Sequence, residues 1–181
     1  MLTNDGTLTS TGTLTNNSSG TISVLGGTVD ATTITNNGTF NFTGGVLNVD
    51  TFNGDLANTG GTLGPGHSPG TTTINGDYSQ DATSTLLIEI EGLIAGTEYD
   101  VLNVTGTADL DGILEFDLSY GGLVLGDSID FLSAETISGT FATFENRRIS
   151  NDWRWDLDYQ VDLTGTTDVL TARVALVPLP A

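Results

Sequence analysis

The side chains able to do chemistry are few and mostly of one kind. His67 stands beside Ser68 in Gly64-Pro65-Gly66-His67-Ser68-Pro69-Gly70, and carboxylates recur two positions apart as Glu89/Glu91, Asp109/Asp111 and Asp156/Asp158. A histidine next to a serine suggests nucleophilic catalysis, but that chemistry needs a base held by a third group, and neighbours in a Pro-Gly loop do not orient one another. Pro65 and Pro69 fix φ and the glycines turn the chain, so the segment reads as a turn. Carboxylates two positions apart on a strand share a face at roughly 7 Å, close to the spacing of glycoside hydrolysis. Polysaccharide lyases, a separate class, also need a base near the carboxylates, and this chain has no lysine and only Arg147, Arg148, Arg154 and Arg173. We therefore expect no catalytic residues and a solvated acidic surface.

The same balance bounds the partners. With 23 carboxylates and a net charge of -19, the chain cannot neutralise a phosphate backbone, which excludes nucleic acid. Calcium is the small ligand that stacked carboxylates suit, because it takes hard oxygen donors. Neither an EF-hand loop nor a Gly-Gly-x-Gly-x-Asp nonapeptide is present, so no ligand set is assigned. Cysteine is absent, which removes disulfides and thiolate chemistry. No run is long and apolar enough to span a bilayer, and no basic and apolar leader opens the chain.

Near the end, period two places Trp153, Trp155, Leu157 and Tyr159 on one face, opposite Arg154, Asp156 and Asp158. Such a face is a capping or core surface in preference to a sugar-stacking platform. Arg147 and Arg148 meet either the acidic face of a neighbouring subunit or carboxylates of their own chain. Trp153, Trp155, Tyr159, Arg147 and Arg148 are thus the candidate assembly or cap residues.

The elements that must position these groups are short strands. Gly-Thr-apolar recurs at Gly6, Gly12, Gly20, Gly27, Gly38 and Gly61, with Gly45-Val46-Leu47 as a variant. The step from Gly20 to Gly38 equals that from Gly27 to Gly45, which marks an internal repeat. Stretches such as Thr39-Phe40-Asn41-Phe42 alternate apolar and polar residues between Gly-Gly and Asn-Asn corners. Strands this short do not make an isolated sheet. Coiled, each lies over the next, with apolar residues inside, Thr and Asn outside, and Asn ladders at the corners. No apolar period near 3.6 is sustained, so helix is negligible. The expectation is an all-β, right-handed parallel β-helix, a β-solenoid with an apolar C-terminal capping region, handedness following the chiral preference of parallel crossovers. One repeat step per rung suits a three-sided coil. An antiparallel sandwich is the competing architecture.

Residues 1–80 are Thr/Asn/Gly-rich rungs with five carboxylates, Asp5, Asp30, Asp50, Asp55 and Asp77. Residues 81–181 continue the same domain with the other eighteen and with longer strands, such as Thr85-Leu86-Leu87-Ile88-Glu89-Ile90.

Gly60-Gly61-Thr62-Leu63-Gly64-Pro65-Gly66-His67-Ser68-Pro69-Gly70, running on to Gln80, resembles the passenger-associated β-helix repeats of autotransporter-like and filamentous-haemagglutinin-like bacterial surface proteins, as do Tyr99 to Gly106 and Gly139-Thr140-Phe141-Ala142. Val177-Pro178-Leu179-Pro180-Ala181 is similar to the start of the sorting signal of PEP-CTERM exported proteins, without the apolar span and basic tail that normally follow. The resemblance implies export and residence on the cell surface or in the extracellular matrix, and carries over no catalytic residue. The expected function is a non-catalytic structural protein that self-associates head-to-tail into filaments. The alternatives are a monomeric adhesin binding glycan or protein, and a polysaccharide-degrading β-helix enzyme.

Overall fold

The computed structural model describes residues 2–160 and 167–178; Leu179, Pro180 and Ala181 of the sorting-signal-like end lie outside them. No helix occurs among the described residues. The strands in order are β1 (Leu2–Asn4), β2 (Thr7–Asn16), β3 (Thr21–Val24), β4 (Thr28–Asn36), β5 (Thr39–Phe42), β6 (Val46–Asn53), β7 (Leu56–Asn58), β8 (Thr62–Pro65), β9 (Thr71–Asn75), β10 (Tyr78–Gln80), β11 (Thr85–Ile90), β12 (Val101–Leu110), β13 (Ile113–Leu118), β14 (Ser128–Gly139), β15 (Thr143–Glu145), β16 (Trp153–Gln160) and β17 (Asp168–Leu176), all in one sheet.

Every ladder among β1 to β15 is parallel, and the ladders fall into three rows. The first row runs β1, β3, β5, β7, β10 and the C-terminal halves of β12 and β14. The second takes the N-terminal halves of β2, β4 and β6, then β8, β11, β13 and β15. The third takes the C-terminal halves of β2, β4 and β6, then β9 and the N-terminal halves of β12 and β14. The chain visits the rows in turn and advances one layer per circuit, an arrangement compatible with a β-solenoid and not with an antiparallel sandwich.

Period two explains why the layers fit. In the second row Leu8, Val29, Leu47, Leu63, Leu86, Leu114 and Phe144 stand in one inward column. In the third, Leu14, Ile34, Phe52, Ile74, Val104 and Ala134 do the same. A slip of one position in any layer would turn its apolar set outward, so burial fixes register. The buried cluster is continuous from Ile22 to Val174. Outside, Asn75 donates to Asn53 at 2.8 Å and Asn53 to Thr35 at 3.1 Å, and the buried Asn16 donates to Asn36 at 2.7 Å, so polar ladders run along the corners.

The regular step of the glycines holds only in the early layers, where Thr21 stands under Thr39 and Val29 under Leu47. From Leu47 to Leu63 the circuit is slightly shorter, and from Leu63 through Leu86 and Leu114 to Phe144 it lengthens at every turn. Most of the growth enters at one corner. Between the second and third rows β4 turns on Thr32 and β6 on Asp50, whereas later layers insert residues 66–70, 91–100 and 119–127 at the same corner. Beyond β15 the pairing changes direction: β17 lies antiparallel on the third-row half of β14, and β16 antiparallel on β17.

Glycine is required where layers approach most closely. Gly27 and Gly45 precede second-row strands with φ of 62° and 72°, and a Cβ on Gly45 would strike the backbone of Gly26 and Gly27. A Gly45→Ala substitution therefore meets both an unfavourable φ and a backbone clash. Thermal denaturation should show it less stable than the parent by at least about 1 kcal/mol, whereas Gly12→Ala, where φ lies outside the left-handed region and nothing stands within 4 Å, should change little.

Candidate functional site

The three inserted loops share one corner, and loops carried by a rigid scaffold are where binding groups concentrate. The corner's lower end is built on His67. Its Nδ1 lies 2.8 Å from Asp50 Oδ1 and its Nε2 2.6 Å from Asp30 Oδ1. The register explains the reach: Asp30 and Asp50 belong to successive layers, and the 66–70 loop stands on the next. Both ring nitrogens thus face carboxylates, and no bond joins His67 to Ser68 among the described residues. The hydrogen bond to Asp50 raises the His67 pKa above the usual 6.5, partial burial opposes it, and Asp30 adds to the rise.

The same loop is pinned from behind by Asp100, which is buried. Its Oδ1 accepts the Gly70 N–H at 2.7 Å and its Oδ2 the Glu89 N–H at 2.9 Å. Burial pushes its pKa up to about 7 against those two backbone donors, with the charges of Glu89 and Glu91 adding to the rise. Thr72 completes the attachment, its hydroxyl accepting from Gly66 N–H at 2.9 Å and donating to the Val49 carbonyl. In the next loop Glu98 accepts from the N–H groups of Leu93 and Ile94 at 2.9 and 3.0 Å, and in the last Asp127 accepts from Val124 at 2.8 Å.

Of the paired carboxylates, Glu89 and Glu91 flank this corner beside Asp100, and the others lie elsewhere. Asp109 accepts the Ser138 hydroxyl at 2.9 Å and Asp111 accepts the N–H of Gly112 at 2.7 Å. Asp81 lines the same shallow hollow as that pair. Burial tends to raise its pKa, yet bonds from Thr83 and Ser84 outweigh that and hold it below the usual value. At another corner Asp55 accepts the Asp77 N–H and Asp77 the Thr107 N–H, at 3.0 and 2.8 Å. No group of three or more His, Cys, Asp or Glu poised for a metal occurs among the described residues.

The aromatic face near the end is divided. Trp155 is fully buried, edge-on to Phe116 with ring centroids 5.5 Å apart; Phe116 also meets Phe131 at 5.4 Å and Phe144 at 4.8 Å. Its indole N–H has no acceptor among the described residues. Tyr159 is half-buried against the same core and accepts the Phe141 N–H at 3.4 Å. Trp153 alone of the three borders an open groove, opposite Tyr120. Arg147 donates to the Trp155 carbonyl at 2.9 Å and pairs with Asp156 at 2.6 Å, while Arg148 donates to the carbonyls of Ser150 and Asn151, both at 2.9 Å. Both arginines therefore have partners within the chain.

The sequence around His67 shows no orienting group, because Asp30 and Asp50 are remote along the chain and come within reach only through the layer step. Asp100 and Glu98 carry no local signal. No family model and no curated protein matches the chain.

The titrating groups give a pH profile. A folded-state pKa above the unfolded one means that stability falls as pH rises through the gap between them. For Asp100 that window runs from about 3.8 to about 7, and for His67 it begins at 6.5 and extends upward. Asp81 and Asp156 have lowered values, so their contribution is lost as pH falls below 3.8. Melting temperature should therefore be highest in mild acid and decline on both sides. Scanning calorimetry from acid to mildly alkaline pH should show His67→Gln flattening the alkaline limb and Asp100→Asn flattening the span below neutrality; a profile unchanged in both variants refutes these assignments.

Proposed function

We propose that the chain is a non-catalytic structural protein of the bacterial cell surface or extracellular matrix, built as a right-handed β-solenoid with an apolar C-terminal cap and assembling head-to-tail. The observation that carries the assembly is the parallel stacking of one layer on the next. Among the described residues β1 pairs with β3 and β2 with β4, and a layer of this kind can take a further layer by the same parallel pairing. Leu2, Leu8 and Leu14 stand at the foot of the interior columns and are not buried, with Leu2 39% exposed. Charge favours the same place. Residues 2–29 contain a single ionisable side chain, Asp5, in a chain of net charge -19, so this is where a second copy meets least repulsion.

The right-handed sense follows the chirality of parallel crossovers. The cap is supported by the antiparallel β16–β17 pair and by Trp155, which joins aromatic residues of β13, β14 and β15. At that end β15 has β13 as its parallel neighbour. Export and a bacterial surface setting rest on the resemblance carried by Gly60 to Gln80.

Negative-stain microscopy and sedimentation velocity test the assembly. Fibres or a concentration-dependent series of oligomers are expected, and Leu8→Lys with Leu14→Lys should abolish them while leaving the β-type circular dichroism intact. Monodisperse monomers of the parent chain at millimolar concentration, with and without calcium, would falsify the proposal.

A further inference from the structure

At the upper end of the loop corner lies a groove of about 480 Å³ between the segment following β13 and the turn preceding β16. Tyr120 and Trp153 border it, with Ser119, Ser150 and Asp152 among the polar residues that line it. The walls are fixed. The Tyr120 ring packs against Gly122, where a Cβ would collide with it. On the other side Arg148 clamps the turn through the carbonyls of Ser150 and Asn151. Both rings are half-buried against the core, so each presents only part of its surface to the groove.

What such a groove can take follows from which groups remain unused. The N–H groups of Ser119 and Tyr120 donate to Ile90 O, those of Ile149 and Ser150 to Trp153 O, and those of Asp152 and Trp153 to the Ser150 hydroxyl. An extended peptide therefore finds no row of backbone donors to pair with. The ring surfaces and the exposed carboxylate of Asp152 remain, the latter without a partner among the described residues. Rings that accept C–H faces, ringed by groups that bond hydroxyls, suit a carbohydrate. The charge of the ligand is also set: the only ionisable side chains lining the groove among the described residues are Asp152 and Tyr120, and the chain around it carries -19, so an anionic sugar is repelled.

We propose that this groove binds a neutral glycan, with sugar rings seated on Tyr120 and Trp153 and a sugar hydroxyl bonded by the Asp152 carboxylate. The site is separate from the first-layer edge, so glycan binding and self-assembly stand or fall independently.

The chain offers its own reporter, since Trp155 is buried and Trp153 borders the groove. Titration with neutral oligomers of glucose, mannose and N-acetylglucosamine, followed by tryptophan fluorescence and calorimetry, should give saturable binding to at least one of them and none to oligogalacturonate. Trp153→Ala and Tyr120→Ala should each weaken binding at least tenfold, and Asp152→Asn should weaken it while leaving thermal stability unchanged. The distant Leu8→Lys variant should bind as the parent does, whatever its assembly state. Absence of binding to every neutral oligomer, preference for oligogalacturonate, or equal binding by folded Trp153→Ala overturns the proposal.

Discussion

Everything in this fold depends on parallel pairing between one layer and the next. Strands as short as Leu2–Asn4 and Leu56–Asn58 have too little surface to form a sheet alone, and each supplies the hydrogen-bond partners of its neighbour. Because the pairing is parallel and the side-chain period is two, a residue that points inward in one layer must stand on an inward residue in the next. Leu47 over Val29 and Leu63 over Leu47 express that condition, and it is strict along the faces. At the corners it relaxes, since a loop can lengthen there without disturbing either flanking strand. The layer step from Leu114 to Phe144 is far longer than that from Leu47 to Leu63, yet the columns remain aligned, and most of the surplus chain emerges at one corner.

The abundance of carboxylates takes on a different meaning in that setting. Loops leave backbone N–H groups without ladder partners, and a buried donor left unpaired costs about 1–3 kcal/mol. Asp100 accepts such a buried donor from Gly70, while Glu98 and Asp127 accept exposed loop donors at the same corner. Charge-assisted bonds of this kind are stronger than neutral ones. Acidic side chains at this corner therefore serve as acceptors for loop N–H groups, one of them, Asp100, in the interior. Where the surface is charged it repels copies of itself, and residues 2–29 carry a single ionisable side chain, Asp5. The loop corner thus holds the His67, Asp30 and Asp50 cluster at one end and an aromatic groove at the other, on the scaffold that the proposed assembly would array.

A good part of this was legible in the chain itself. Alternation in Thr85–Ile90 and Thr39–Phe42, the Gly-Thr corners and the lack of any helical period were enough to indicate stacked strands, because the period of apolar residues is a local property. The apolar face of Trp153, Trp155 and Tyr159 was legible for the same reason. The constant repeat step was legible only in the early layers, since inserted loops later hide the repeat while leaving the three-dimensional register untouched. Only tertiary structure decided which distant residues meet. His67 between Asp30 and Asp50 and Asp100 above Gly70 depend on how far the chain advances per circuit, a distance set by pairing with the layer beneath, while the separation of Trp153 from the buried Trp155 depends on how the antiparallel β16–β17 pair packs on the core, and neither is written in a single stretch of sequence.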